Sequence, residues 1–225
     1  MIIVTGASQG LGNNICLHLK SLGYQVLGLS RSVESKDFDY IKCDVTNYDD
    51  LKRTAAELKK KRIKVTGLIN AAGIASMNLA VTTPPVVTKS IIETDLIGSI
   101  FTSQIFGSLM MREKFGNIIN FSTIAVNIGL QGESVYAASK AGVESFSRIY
   151  AKEVAPFNIT VNCIAPGPIN TNLIKGVPSK NIDKIIAQQI IKKSFKAEDV
   201  SKIVEIILDE KMRSITGQVF NLGGY

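Results

Sequence analysis

The stretch Ile2-Ile3-Val4-Thr5-Gly6-Ala7-Ser8-Gln9-Gly10-Leu11-Gly12 passes from a short β-branched run directly into a glycine-rich turn. The run reads as a buried strand, and the pattern beyond Gly12 as a helix reaching about Leu22. Glycines at such a junction permit a tight turn and let backbone N–H groups approach an anion. The anion would also meet the positive end of the helix dipole. A glycine-rich turn alone is only a connection. Set between a strand and a helix, it becomes a binding hypothesis, here for the pyrophosphate of a nucleotide.

Outward from this unit the chain keeps alternating. Gln25–Leu29 reads as a second strand and ends in Ser30-Arg31-Ser32. At that place an acid suits a ribose 2′-hydroxyl and an arginine suits a 2′-phosphate. With Arg31 and Ser32 there and no acid, NADPH is expected over NADH, unless Arg31 is only a solvated loop residue. Tyr40–Cys43 is a third strand, followed by Asp44-Val45. Asp44 would accept a hydrogen bond from an adenine amino group or cap the helix expected over Tyr48–Lys61. Gly67-Leu68-Ile69 is a fourth strand, and the small residues of Asn70-Ala71-Ala72-Gly73 let the backbone pass close to a flat ligand.

After a break at Thr82–Pro85, Val86 to Glu113 reads as one long helix with apolar positions on more than one side, buried or packed on a partner chain. Ile118–Phe121 is a fifth strand, Val135–Ala155 a helix and Ile159–Ala165 a sixth strand. That strand ends in Pro166-Gly167-Pro168-Ile169-Asn170-Thr171, a stiff loop at the edge where open parallel sheets bind ligands. Polar Asn172–Ser179 reads as a mobile cover. Helices over Ile182–Lys192 and Ala197–Leu208 and a strand at Gly217–Leu222 complete an α/β, Rossmann-like, doubly wound parallel sheet, with one domain expected over residues 1–225.

The chemistry concentrates between Ser122 and Lys140. Tyr136 and Lys140 are four apart, so a helix puts both on one face. An ammonium beside a phenol favours the phenolate and lowers its pKa, which lets a tyrosine exchange a proton with an alkoxide near neutral pH. Thr123, just past the fifth strand, is placed to direct a hydroxyl at a substrate oxygen. The spacing itself is a weak signal, since Tyr48 and Lys52 repeat it in an ordinary helix.

The net charge of +7 would permit nucleic-acid binding, but the lysines are dispersed. The densest run, Lys59–Arg62, closes a helix, where cations suit the dipole. No nucleic acid and no membrane are expected as partners. Cys16, Cys43 and Cys163 are widely spaced in apolar surroundings, which fits free buried thiols in a reducing, cytoplasmic setting and no metal site. His18 has no neighbouring ligand residue and reads as structural. The start of the chain runs into a strand and shows no basic leader with a long apolar stretch.

Taken together, Thr5-Gly-x-x-x-Gly10-x-Gly12, Asp44-Val45, Asn70-Ala-Ala-Gly73, Tyr136-x-x-x-Lys140 and Pro166-Gly167 with Thr171 resemble the short-chain dehydrogenase/reductase family along the whole length, most of all its single-domain β-ketoacyl-reductase type. The resemblance implies about seven parallel strands in the order 3-2-1-4-5-6-7. It also implies hydride transfer between nicotinamide C4 and a carbonyl or alcohol carbon. It makes Tyr136 the proton donor and Lys140 the residue that holds the nicotinamide ribose. It gives Thr123 the task of holding the substrate oxygen, with Ser122 as the alternative. The NADP(H)-binding set it implies is Gly6, Ser8, Gln9, Gly10, Leu11, Gly12, Arg31, Ser32, Asp44, Val45, Asn70, Ala71, Ala72, Gly73, Tyr136, Lys140, Pro166, Gly167, Ile169 and Thr171.

Two departures stand out. Asp95 lies where the family has a catalytic asparagine, and a carboxylate there would draw Lys140 away from the cofactor. Of the two basic positions that hold an acidic carrier protein in such reductases, Lys114 is present but the other is Phe157. The reading is therefore an NADPH-dependent carbonyl reductase of a thioester, small ketone or sugar. The competitor is an NADP(H)-binding sensor or structural subunit without catalysis. The two long helices match those that join subunits in this family, so a homodimer or homotetramer is expected.

Overall fold

The structure, a computed structural model, describes residues 1–32, 37–171 and 179–225. Seven parallel strands form one sheet: β1 (Ile2–Thr5), β2 (Val26–Ser30), β3 (Asp39–Lys42), β4 (Gly67–Asn70), β5 (Gly116–Phe121), β6 (Ile159–Pro166) and β7 (Val219–Leu222). Their spatial order is β3-β2-β1-β4-β5-β6-β7, as the resemblance implied. Both faces are covered, so the strands are nearly continuous apolar runs. Successive side chains still point to opposite faces. Ile2 and Val4 pack with Ile15, Cys16 and Leu19 of α1 (Gly10–Ser21) and with Val200, Val204 and Ile207 of α8 (Ala197–Leu208). Ile3 faces the other layer, where Leu51 and Leu58 of α2 (Tyr48–Lys60), Phe106 and Met110 of α4 (Gly98–Glu113), and Ala151 and Val154 of α6 (Ser134–Val154) close the core.

The order reverses between β1 and β4, which sit side by side with Thr5 opposite Asn70. Connections leaving these two strands go to opposite faces, and the crevice opens at their C-terminal ends. The Thr5 hydroxyl accepts a hydrogen bond from the Ala72 N–H at 3.0 Å, tying the two loops together there.

Several expectations are corrected by tertiary packing. The single helix expected over 86–113 is instead three pieces in line: α3 (Pro85–Ile91), a π-helical turn (Ile92–Ile97) and α4. A four-residue helix, α5 (Ala125–Ile128), follows β5 and ends at Gly129, whose φ of 69° is left-handed. Helix α7 (Ser179–Gln188) stops short of Lys192. Ile190 and Ile191 continue the apolar pattern yet are 73% and 53% exposed. The chain turns because the buried Gln189 amide donates to the carbonyls of Ile191 and Lys193, while the Ile191 N–H donates to the Gly223 carbonyl. The expected cover over Asn172–Ser179 falls, up to residue 178, outside the described residues.

The three thiols are free and buried, and burial pushes Cys16 up to about 12 and Cys163 up to about 11. His18 meets Glu205 at 2.7 Å, joining α1 to α8. Among the described residues no helix is long and apolar enough to cross a membrane, and no group of side chains could hold a metal ion.

Candidate active site

A cavity of about 680 Å³ lies along the C-terminal edge of the sheet, over the crevice. The glycine turn from Gly6 to Gly12, the end of β2 at Arg31 and Ser32, Asp44-Val45, Ala71-Ala72-Gly73, the Pro166–Thr171 loop, and Thr123, Tyr136 and Lys140 all line it. Residues more than 100 apart in sequence meet there because parallel strands deliver every loop that follows a strand to one edge.

The turn is built for close approach. Gly6 has φ of 67°, and a Cβ there would stand 2.8 Å from the Ala72 backbone. A Cβ at Gly12 would collide with the Gly6 carbonyl. Helix α1 begins at Gly10 with no side-chain cap, so its first-turn N–H groups are open to an anion. This cradle fits the pyrophosphate of a dinucleotide, and Arg31 lies on the same cavity wall.

Two expected members carry structural contacts of their own. Asn70 is buried and does not line the cavity. Its amide donates to Asn120 Oδ1 at 2.8 Å and to Ser103 Oγ at 3.3 Å, and its oxygen accepts from Thr102 Oγ1 at 2.8 Å. It bolts β4 to β5 and α4. Asp44 lines the cavity but does not cap α2. Its Oδ1 accepts from the N–H and hydroxyl of Thr46, at 2.9 and 2.8 Å, and Asn47 is the cap, accepting from the Asp49 and Asp50 N–H groups.

At the reactive end, the Ser122 N–H donates to the Ile164 carbonyl at 2.8 Å and the Ile124 N–H to that of Pro166 at 3.2 Å. These bonds extend the β5–β6 ladder past the strands and hold Thr123 between them at the cavity. The Ser122 hydroxyl is turned the other way and donates to Glu144 Oε1 of α6 at 2.6 Å, both residues being buried. Ser122 as the substrate-holding alternative is therefore corrected, since its hydroxyl is already committed to a carboxylate. Thr123 Oγ1 accepts from the Ala125 N–H at 3.2 Å, and its hydrogen bond to Tyr136 favours the phenolate.

Tyr136 and Lys140 lie on one face of α6, 8% and 4% exposed, with the ammonium 5.7 Å from the ring centroid. Asp95 of the π turn is fully buried beside them. Its Oδ1 accepts from the Ile74 N–H at 2.8 Å. Its Oδ2 has no hydrogen bond among the described residues and stands 3.3 Å from Lys140 Nζ. The expected attraction between Asp95 and Lys140 is thus present. The Asp95 carbonyl accepts from the Ser99 hydroxyl at 2.7 Å.

The electrostatics correct one expectation. Tyr136 is pushed up from its ordinary value, first by burial, then by the charges of Asp95 and Glu133, with only the Thr123 hydrogen bond opposing. Lys140 is not among the influences on the phenol, while the Asp95 carboxylate paired with it acts to raise the value. Asp95 itself is raised, since burial outweighs the lysine and the Ile74 N–H. Glu133, which the sequence reading did not single out, also lines the cavity and is raised by burial. Its position three residues before Tyr136, one turn away at a helix start, was the available signal.

A buried phenol next to a threonine hydroxyl, at the end of a cradle for a dinucleotide, can pass a proton to an oxygen held between the two. The model of the enoyl-(acyl carrier protein) reductase family matches residues 6–224. The chain belongs to the short-chain dehydrogenase/reductase family. It is 32% identical over 232 residues to the 3-oxoacyl-[acyl-carrier-protein] reductase FabG of Buchnera aphidicola subsp. Schizaphis graminum, covering 99% of this chain and 95% of that protein. It is 30% identical over 229 residues to carbonyl reductase family member 4 of Xenopus laevis, covering 98% and 95%. The crystal structure of gox2181 superposes with a TM-score of 0.92 at 25% identity, over 98% of this chain and 93% of that one. The chain is thus an oxidoreductase of the kind that acts between C=O and CH–OH.

Proposed function

We propose that this chain is an NADPH-dependent carbonyl reductase in which Tyr136 donates the proton and Thr123 holds the carbonyl oxygen. The observation that carries the reading is one cavity lined by both the Gly6–Gly12 turn and the Thr123–Tyr136–Lys140 group. The first-turn N–H groups of α1 would hold the pyrophosphate, and Arg31 with Ser32 the 2′-phosphate. When bound, the cofactor supplies a hydride to the carbonyl carbon. The chain's own residues handle the oxygen. Thr123 donates a hydrogen bond to it, and Tyr136, which holds its proton firmly, delivers that proton as negative charge develops. Lys140 supplies the positive field, shared with Asp95 until the cofactor ribose offers it hydroxyls.

NADPH oxidation followed against diketones, aldehydes, β-ketoesters and a β-ketoacyl thioester, with Tyr136→Phe beside wild type, tests the reading. Turnover that collapses in the variant supports it. Silence across the panel in protein that binds NADPH would favour a non-catalytic NADP(H)-binding role, which the Asp95–Lys140 pairing makes the relevant competitor. The cofactor preference is tested separately: Arg31→Asp should weaken NADPH roughly tenfold or more while sparing NADH. Equal loss of both would remove Arg31 from the 2′-phosphate role.

A thioester on an acidic carrier is the substrate type in the names of several relatives, and Lys114 is compatible with one carrier contact. Phe157, where a second basic residue would help, sits in a 3-10 turn packed against the core instead. A homodimer or homotetramer in the cytoplasm completes the proposal. It rests on the length of α4 and α6 and on Ile149, an apolar side chain of α6 that is more than half exposed. Light scattering that returns a monomer would remove the assembly.

A further inference from the structure

Glu133 stands at the N-terminal boundary of α6, where an acid would ordinarily cap the helix, but its side chain makes no capping bond. Among the described residues nothing compensates its carboxylate: burial is the only influence on it, with no cation and no hydrogen bond opposing. It lines the cavity with Tyr136 and is close enough for its charge to act on that phenol. The surrounding wall is mixed, with Ser76 and Asn78 beside apolar side chains. Leu130, Met77, Ile182 and Ile185 share the cavity, Met77 lies against Gly132, and Asn181 of α7 donates to the Met77 sulfur at 3.5 Å. A partly buried charge at the wall of a cleft is less screened than one in bulk water, so it acts on whatever enters.

Glu133 is only partly buried and its side chain has no hydrogen-bond or ion-pair partner among the described residues, so its carboxylate is free to meet what enters the cavity. We infer that Glu133 sorts substrates by charge, admitting carbonyl compounds that are neutral or carry an O–H or N–H donor beside the carbonyl and turning away keto acids. A hydroxyl or amide N–H of the substrate would donate to the carboxylate, while a substrate carboxylate would meet like charge in the cleft. The inference deepens the carbonyl-reductase reading and rests on it for the placement of the substrate.

The test compares kcat/KM for methyl acetoacetate, acetoacetate and hydroxyacetone, each relative to 2,3-butanedione, in wild type, Glu133→Gln and Glu133→Ala. Ratios within one protein cancel the influence of Glu133 on Tyr136, which all substrates share. Wild type should prefer the ester to the acid on the order of tenfold, the scale of one partly screened charge pair. Both variants should shrink that preference to a few-fold, and Glu133→Ala should also lose the advantage of hydroxyacetone. An ester-to-acid ratio unchanged in both variants overturns the inference. Binding of acetoacetate and its methyl ester to the NADP-loaded protein, followed by ligand NMR, is measured in parallel. No turnover in any protein, with a binding ratio that still shifts on Glu133→Gln, would sink the reductase reading and leave the charge selection standing. Unshifted binding would sink the selection as well.

Discussion

Tyr48 and Lys52 on α2 stand four residues apart, as do Tyr136 and Lys140 on α6, and the two pairs share little else. Lys52 is exposed, with its ammonium 4.8 Å above the Tyr48 ring and 3.7 Å from Asp49, while Tyr48 packs edge-on to Phe101. Lys140 is buried, 5.7 Å from the Tyr136 ring and paired with a buried carboxylate. Helical spacing brings a lysine to a tyrosine in both places. What differs is the company: one pair borders solvent, the other the crevice where seven strands deliver their loops. The comparison teaches that the spacing is necessary and cheap, and that function is decided by what the sheet brings to it.

The largest expected effect breaks the symmetry outright. Tyr136→Phe should lower kcat/KM for the best carbonyl substrate by about 10²–10⁴, the range of a lost proton donor, and Tyr48→Phe should leave it unchanged. Comparable losses from both would mean that Tyr136 acts only through packing. The neighbouring hydroxyls sharpen the same contrast. Thr123→Val should cost kcat/KM roughly tenfold with the melting temperature little changed. Ser122→Ala should do the reverse, lowering stability by about 1–2 kcal/mol because Glu144 loses its buried donor. Thermal melts and steady-state rates of the two variants decide whether the roles are divided in this way.

The smallest effect concerns pH. Asp95 and Glu133 hold the Tyr136 pKa up because a negative charge disfavours the phenolate. Alcohol oxidation needs the phenolate, so its rate rises with pH through the Tyr136 value. Reduction needs the phenol and is lost as pH passes that same value. Removing the Asp95 charge lowers this value, so Asp95→Asn should move both limbs to lower pH. A pH–rate profile of alcohol oxidation that superposes on wild type would show that Lys140 already neutralises Asp95 at the phenol.

The strands, the glycine turn and the Tyr136–Lys140 spacing were legible because they rest on local rules: β-branched apolar runs, glycine at a strand–helix junction and helical periodicity. The direction of side chains was not. Ser122 and Thr123 both line the cavity, and which hydroxyl is free for a substrate depends on Glu144, 22 residues beyond Ser122. Asn70 looked like a ligand residue because of the small residues after it, yet its amide serves a buried network spanning β4, β5 and α4. Ile190 and Ile191 extended an apolar period past the true end of α7, since no local rule announces that Gln189 will gather two carbonyls. Glu133 drew no notice in the sequence, and only its place in the cavity wall brings it to the site.

The π turn at Ile92–Ile97 carries one residue more than an α-helical turn over the same rise. Were the same six residues to relax into ordinary helix, everything on their N-terminal side would rotate by about 100° relative to α4. Asp95 would then swing off the Ile74 N–H and away from Lys140, or α3 would turn a different face outward, with no change in composition. The insertion acts as a phase-setting washer between two rigid rods. The extra residue is absorbed within the turn, so α3 and α4 hold a relation that a plain helix of the same length would not give.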